Sequence, residues 1–152
     1  VYDAEEGGFR YRSGAEAFST RAGQITPFSQ RLHPSVNRAT LTDIFAPGAP
    51  VTSSGIAGPH GESIQHGTSQ ATPVTVGIIL LLQEFYQRYA GELPPVHLLI
   101  TWLRRGSVPI LDGDDEDDNV EHTNLTFARL DAVRALDAVH RELVRMHLKQ
   151  EG

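Results

Sequence analysis

Cysteine is absent from this 152-residue sequence, and methionine and tryptophan occur once each. Without cysteine, no disulfide framework and no zinc site with thiolate ligands can form. Long apolar runs are also missing, since the longest, residues 76–82, is far shorter than the about 20 residues of a membrane-spanning helix. The sequence opens at Val1 without an initiating methionine, a basic segment or an apolar leader. No signal peptide is therefore visible, and the first residues read as the middle of an element.

Basic residues are outnumbered by acidic ones, 13 to 19, which gives a net charge of −6. This balance argues against nucleic acid or an anionic membrane as a partner. The remaining proportions, 39% hydrophobic and 21% charged residues, are those of an ordinary globular domain. The sequence therefore predicts one folded domain that binds neither nucleic acid nor membrane.

The main apolar segment predicts a helix over residues 69–89. Positions 74–82 are apolar on nearly all sides, which is typical of a buried central helix. Gly77 inside it costs about 1 kcal/mol relative to alanine, so we expect close packing against another backbone there. Pro73 is expected in the first helical turn, where its missing N–H is no loss.

Two more helices and several short strands are predicted around this helix. Pro95 opens a predicted helix over 95–105, and apolar residues at every third or fourth position predict another over 126–148. Short strands are predicted near 9–11, 25–29, 42–46 and 51–54, with a hairpin tip at 55–61.

Ser69 stands where the turn-rich first part of the chain gives way to the long helix. A serine hydroxyl is a weak nucleophile until a base takes its proton, and its attack on a carbonyl creates an oxyanion that needs N–H donors. The first turn of a helix supplies free N–H groups and the positive end of the helix dipole. Gly67 permits a tight approach, and Ala71 leaves space beside the hydroxyl. The alternative from the residues alone is that Ser69 is only a helix cap.

The residues around Ser69 form a pattern that resembles the serine signature of the subtilisin-like serine proteases, the subtilases. The matching pattern is Gly67-Thr68-Ser69-x-Ala71-x-Pro73-x-x-x-Gly77. Three further segments resemble family segments in the family's order: Ile25-Thr26-Pro27-Phe28-Ser29, Asp43-Ile44-Phe45-Ala46-Pro47-Gly48 and Arg129-Leu130-Asp131-Ala132-Val133-Arg134-Ala135. The departures from the family are Gln70 for the usual Met, Val74 for the usual His, and Thr126 and Ala128 for Gly-x-Gly.

The resemblance implies the carboxy-terminal portion of a three-layer α/β/α fold with a mostly parallel sheet. Residues 1–68 would lead to the nucleophile, 69–90 would form the central buried helix, and 91–152 would hold surface helices and an acidic loop. It further implies a serine endopeptidase that acts on polypeptides through Ser69 and requires no cofactor. The catalytic Asp, His and oxyanion Asn would lie in an upstream half that packs against this chain, so the chain alone is expected to be inactive. The family is secreted by default, but the compartment of this chain stays open.

Two alternatives accompany this interpretation. The first is a catalytically dead subtilase-like domain used for binding or scaffolding, although such a domain has no need to keep Ser69. The second, an α/β hydrolase, would need a Gly-x-Ser-x-Gly elbow that this sequence lacks. His66 lies three positions before Ser69 on the entering segment, so we expect it to have a structural or binding role rather than to act as the base.

An acidic segment from Asp112 to Asn119 places seven oxygen-bearing side chains within eight residues. Calcium takes six to eight oxygen ligands, which makes the aspartates of this segment candidate ligands. These candidates are Asp112, Asp114, Asp115, Asp117 and Asp118. The segment lacks the spacing and distal Glu of an EF-hand, and a run of like charges favours a solvated, mobile loop without metal. Asn124-Leu125-Thr126 is a glycosylation sequon in form only.

Overall fold

The computed structural model describes residues 1–5, 7–31 and 44–150 of the chain, and within them the fold is mixed α/β. Seven short strands and three helices are found in these residues. In chain order they are β1 Phe9–Arg10, β2 Glu16–Ser19, β3 Val51–Ser54, β4 Glu62–Gln65, α1 Thr68–Ala90, α2 Val96–Arg105, β5 Val108–Leu111, β6 Asp117–Asp118, β7 Thr126–Arg129 and α3 Ala132–Gln150. The predicted helices at 69–89 and 95–105, the strand at 51–54 and the hairpin tip at 55–61 are confirmed.

The three helices pack together around the main hydrophobic core. Its fully buried members are Leu82, Tyr86, Leu99, Trp102, Leu103, Ala135 and Val139. The Trp102 ring is completely buried, with its centre 5.3 Å from that of Tyr86. A Cβ atom at Gly106 would lie 2.4 Å from the Ala135 nitrogen, so only glycine lets the end of α2 approach α3 this closely.

The sheets are small and antiparallel, so the predicted mostly parallel sheet is wrong for the described residues. Their strand orders are β1-β2-β6, β3-β4 and β5-β7. Parallel pairing occurs only as two isolated bridges within the described residues, Tyr2 with Ala49 and Phe45 with Arg129. Each of these segments contributes a single paired residue, whereas β3 and β4 are joined by a loop over residues 55–61 and pair along their whole length.

Within the described residues, helix α1 is buried along one side only. Only Leu82 and Tyr86 are buried, while Val76, Leu80 and Leu81 are 48%, 59% and 49% exposed. No atom lies within 4 Å of a Cβ built at Gly77, so the predicted close packing there is wrong for the described part of the chain. The reason is that α2 and α3 cover only one side of α1.

The last helix begins later than predicted. Asp131 caps α3, because its carboxylate accepts the Arg134 N–H at 3.0 Å, and the helix starts at Ala132. The preceding residues, predicted as helical from 126, form β7 and pair with β5. The predicted strand at 25–29 is a buried turn instead, with Ser29 N–H bonded to Thr26 O. The predicted strand at 42–46 lies partly outside the described residues.

Candidate functional site

The start of α1 is held against the segment that ends at Gly48. The Gly67 N–H donates to Gly48 O at 2.8 Å, and the Gly48 N–H donates to Val1 O at 3.0 Å. A Cβ atom at Gly48 would lie 2.8 Å from Gly67 O and 3.2 Å from the Ala71 Cβ. Two of the segments singled out in the sequence, 43–48 and 67–77, therefore meet here, although Asp43 itself lies outside the described residues.

Ser69 is the second residue of α1, and it is exposed. The N–H groups of Gln70 and Ala71 both donate to Gly67 O, at 3.1 and 3.3 Å. In the described part of the chain, the Thr68 and Ser69 N–H groups and the Ser69 hydroxyl have no hydrogen-bond partner. The hydroxyl thus lies beside two unpaired donors at the positive end of a 23-residue helix.

Two grooves flank the start of α1. One, of about 420 Å³, is lined on the helix side by Thr68, Ala71, Thr72 and Thr75. The other, of about 450 Å³, contains Ser69. Its remaining lining residues are Val51, Thr52, Ser53, Ser54, Ser63, Gln65, Gln70, Pro73 and Val74, mostly from the β3–β4 hairpin. Ser69 therefore opens into a groove with mainly hydroxyl and amide side chains.

Two of the supporting residues have positions that differ from those predicted. Pro73 is the sixth residue of α1, not part of its first turn. Because proline has no N–H, it leaves the Ser69 carbonyl without its usual intrahelical donor. Ala71 faces Gly48 rather than the Ser69 hydroxyl, so its small side chain allows the close contact between α1 and the segment before β3.

No base contacts the Ser69 hydroxyl among the residues that the structure describes. The neighbouring histidine, His66, lies in an aromatic cluster instead. Its ring stacks on Phe9 with centres 4.8 Å apart and an angle of 18°, and the Tyr11 ring meets it edge-on at 5.9 Å. Among the described residues, the Ser69 site therefore has an exposed hydroxyl and two unpaired backbone N–H groups but no proton acceptor.

In the acidic segment, Asp112 is fully buried and makes four hydrogen bonds. Its Oδ1 accepts from Arg31 Nε at 2.5 Å and lies 3.0 Å from His122 Nδ1. Its Oδ2 accepts the backbone N–H and the hydroxyl of Thr123, at 2.7 and 2.8 Å. Burial alone would raise the pKa of Asp112, but the Thr123 and His122 hydrogen bonds and the Arg31 charge outweigh it and lower that pKa.

Asp118 joins the same network from β6. Its Oδ1 lies 3.2 Å from His122 Nε2 and accepts the Val120 N–H at 3.0 Å. Its Oδ2 is 3.9 Å from an Arg31 nitrogen, and both side chains are nearly inaccessible, at 2% and 6% exposed. The prediction of a solvated loop is therefore wrong for Asp112 and Asp118, because the buried Arg31 and the His122 side chain bridge their carboxylates.

The five candidate calcium ligands do not all converge on one point, although the exposed Asp114 and Asp115 bring ligand atoms within 4.8 Å of each other and of Glu116. Asp117 accepts from the Ser19 hydroxyl at 2.9 Å, whereas Asp114 and Asp115 are exposed beside Glu116. Partial desolvation by the surrounding chain and the charges of Glu116 and Asp114 raise the pKa of Asp115. Asp112, Glu116 and His122 do bring ligand atoms within 4.8 Å of one another. However, the oxygens of Asp112 already accept from Arg31 and Thr123, so a cation would have to displace a buried guanidinium.

Sequence reasoning missed Arg31, His122 and Thr123 as partners of the acidic segment. Arg31 is 81 positions from Asp112, and no local pattern links the two.

Across the described residues, no helix is both long and apolar enough to cross a membrane. Comparison of the chain with protein-family models, curated proteins and solved structures finds no match.

Proposed function

We propose that this chain is the carboxy-terminal part of the catalytic domain of a subtilisin-like serine endopeptidase, with Ser69 as its nucleophile. One observation carries the proposal. The Ser69 hydroxyl is exposed at the start of a long helix, beside two backbone N–H groups that have no partner among the described residues. The sequence pattern around it, Gly67 to Gly77, supports the same assignment.

In the proposed reaction, Ser69 Oγ attacks the carbonyl carbon of a peptide bond while an upstream histidine takes its proton. The carbonyl oxygen becomes an oxyanion that accepts the Ser69 N–H and an upstream asparagine amide. The C–N bond then breaks as the histidine returns the proton to the leaving amine, which leaves an acyl ester on Ser69. Water hydrolyses that ester by the same route. None of these steps uses a metal or a cofactor.

A fold for the complete domain accompanies this function. We propose that the described elements are one part of a three-layer α/β/α domain, completed by an upstream half with the catalytic Asp and His. The exposed apolar side of α1, with Val76, Leu80 and Leu81, supports a missing covering layer.

A catalytically dead subtilase-like domain is the alternative. No titratable side chain of the described residues contacts the Ser69 hydroxyl, and this observation favours the dead domain. Either interpretation makes the 152-residue chain inactive by itself, since loss of the triad histidine costs about 10⁶ in turnover in subtilisin. The two differ in whether the complete protein forms an acyl-enzyme.

A fluorophosphonate probe on the complete protein tests the proposal. We expect labelling of the wild-type protein and its loss in Ser69→Ala, because the probe reacts only with an activated serine. Ser53→Ala, which removes another hydroxyl from the same groove, and His66→Ala are matched controls that should keep labelling. Labelling that survives in Ser69→Ala would show that the nucleophile is elsewhere. A folded wild-type protein that does not label would support the dead domain.

A further inference from the structure

A groove rich in arginine lies between the end of α2 and the exposed side of α3. Its volume is about 340 Å³, and its lining residues are Arg105, Arg134, Asp137, Ala138, Arg141 and Arg145. The α3 members at 134, 138, 141 and 145 recur every three or four positions, so they lie on one face of the helix. Four arginines and Asp137 therefore line one channel.

The ion pairs within this groove leave the arginines available to a ligand. Arg105 and Arg145 share one carboxylate, that of Glu142, at 3.8 and 4.0 Å. Arg134 is 3.8 Å from Asp131, and only the pair of Arg141 with Asp137 is short, at 2.5 Å. The four arginine side chains are 57–72% exposed, and exposed pairs of this kind are weak and exchange partners readily.

The distribution of charge indicates a specific anionic ligand rather than a general attraction to anions. The chain has a net charge of −6 and only 13 basic residues, yet four of them line this groove. Guanidinium forks bind carboxylate groups through two parallel hydrogen bonds. Arg134 and Arg145 are eleven residues apart, which is about 16 Å along a helix. A single small anion is too short to engage both ends, whereas about five residues of extended polypeptide match this length.

We propose that this groove docks an acidic segment of a polypeptide, lying extended along α3 with its carboxylates on the arginines. Single-stranded nucleic acid fits less well, because the lining has no aromatic ring on which a base could stack. The docking surface involves neither Ser69 nor its grooves, so this inference does not depend on the proposed peptidase activity.

Fluorescence anisotropy with a labelled hexaglutamate peptide tests the proposal on the complete protein. We expect hexaglutamate to bind, hexaglutamine not to bind, and added salt to weaken the binding. The double variant Arg141→Gln/Arg145→Gln should weaken hexaglutamate binding by about tenfold or more. The matched control is Arg10→Gln/Arg88→Gln, which removes two equally exposed, ion-paired arginines outside the groove and should change binding by less than about twofold.

Several outcomes would overturn the inference. Absence of hexaglutamate binding, or equal weakening in both double variants, would show that the groove is not a docking site and that only net charge matters. Displacement of the peptide by inorganic phosphate or by a DNA oligonucleotide of equal charge, at equal concentration, would show that the ligand is not an acidic polypeptide. Thermal unfolding of each variant checks that the fold is retained.

Discussion

Asp112→Asn removes one charge from a carboxylate that is fully buried and accepts from three residues. The Arg31 guanidinium, 6% exposed, would lose its charged partner at 2.5 Å and keep Asp118, at 3.9 Å, and the Ser29 carbonyl oxygen, at 3.2 Å. Breaking a buried ion pair from one side costs about 3–5 kcal/mol. Because Asp118 remains nearby, we expect the lower end, about 3 kcal/mol.

The assay is urea unfolding of the complete protein, with Asp114→Asn as the matched control. Asp114 is exposed in the same loop, so the same change of charge should alter the free energy of unfolding by less than about 0.5 kcal/mol. A loss of about 3 kcal/mol in a domain of this size also lowers the melting temperature by about 6–12 °C. If Asp112→Asn proves no more destabilising than the control, the buried network does not stabilise the fold as argued.

The pH dependence of the same variant gives a second check. The pKa of Asp112 is lowered in the folded state, so its contribution to stability is fully present above its unfolded pKa, about 3.9. That contribution is lost as the pH falls through the folded pKa, when the carboxylate is protonated. The difference between wild type and Asp112→Asn should therefore stay constant at neutral pH and shrink only below about pH 4. A difference that shrinks between pH 8 and pH 6 would contradict the assignment.

Gly48→Ala should destabilise the protein by about 1–3 kcal/mol, because its Cβ would meet Gly67 O at 2.8 Å and push α1 away from its support. Gly77→Ala, with open space around its Cβ, should stabilise the described chain by about 1 kcal/mol, and a loss in urea unfolding would contradict the open environment. Asp115→Asn should stabilise slightly at pH 7, since partial desolvation and acidic neighbours raise the pKa of Asp115 and make its charged form unfavourable. That gain should fade as the pH approaches 4, and a gain that does not depend on pH would refute the electrostatic cause.

Local signals in the sequence were sufficient for the elements around Ser69. The glycine, threonine and serine before a long, mainly apolar segment placed the start of α1 within one residue of Thr68. Proline and glycine pairs similarly located the hairpin tip between β3 and β4. Such boundaries depend on backbone preferences of a few neighbouring residues, so no tertiary information was needed.

The predictions for other elements were wrong where a tertiary contact overrode the local pattern. Residues 126–129 fit the helical period of the segment that follows them, but they pair with β5 instead, and the Asp131 cap fixes the start of α3. The described residues cover only one side of α1, and apolar composition shows what a helix would bury but not which elements of the chain reach it.

The sequence by itself determined the position of Ser69 at the start of a long helix, because that depends only on neighbouring residues. The structural role of the acidic segment was decided only by the tertiary structure. Seven oxygen-bearing side chains within eight residues predict a solvated loop or a calcium site. Instead, Arg31 enters from far along the chain, and His122 folds back to lie between Asp112 and Asp118. A run of like charges is stable in a buried position only when opposite charges are brought to it, and the fold, not the local sequence, brings them there.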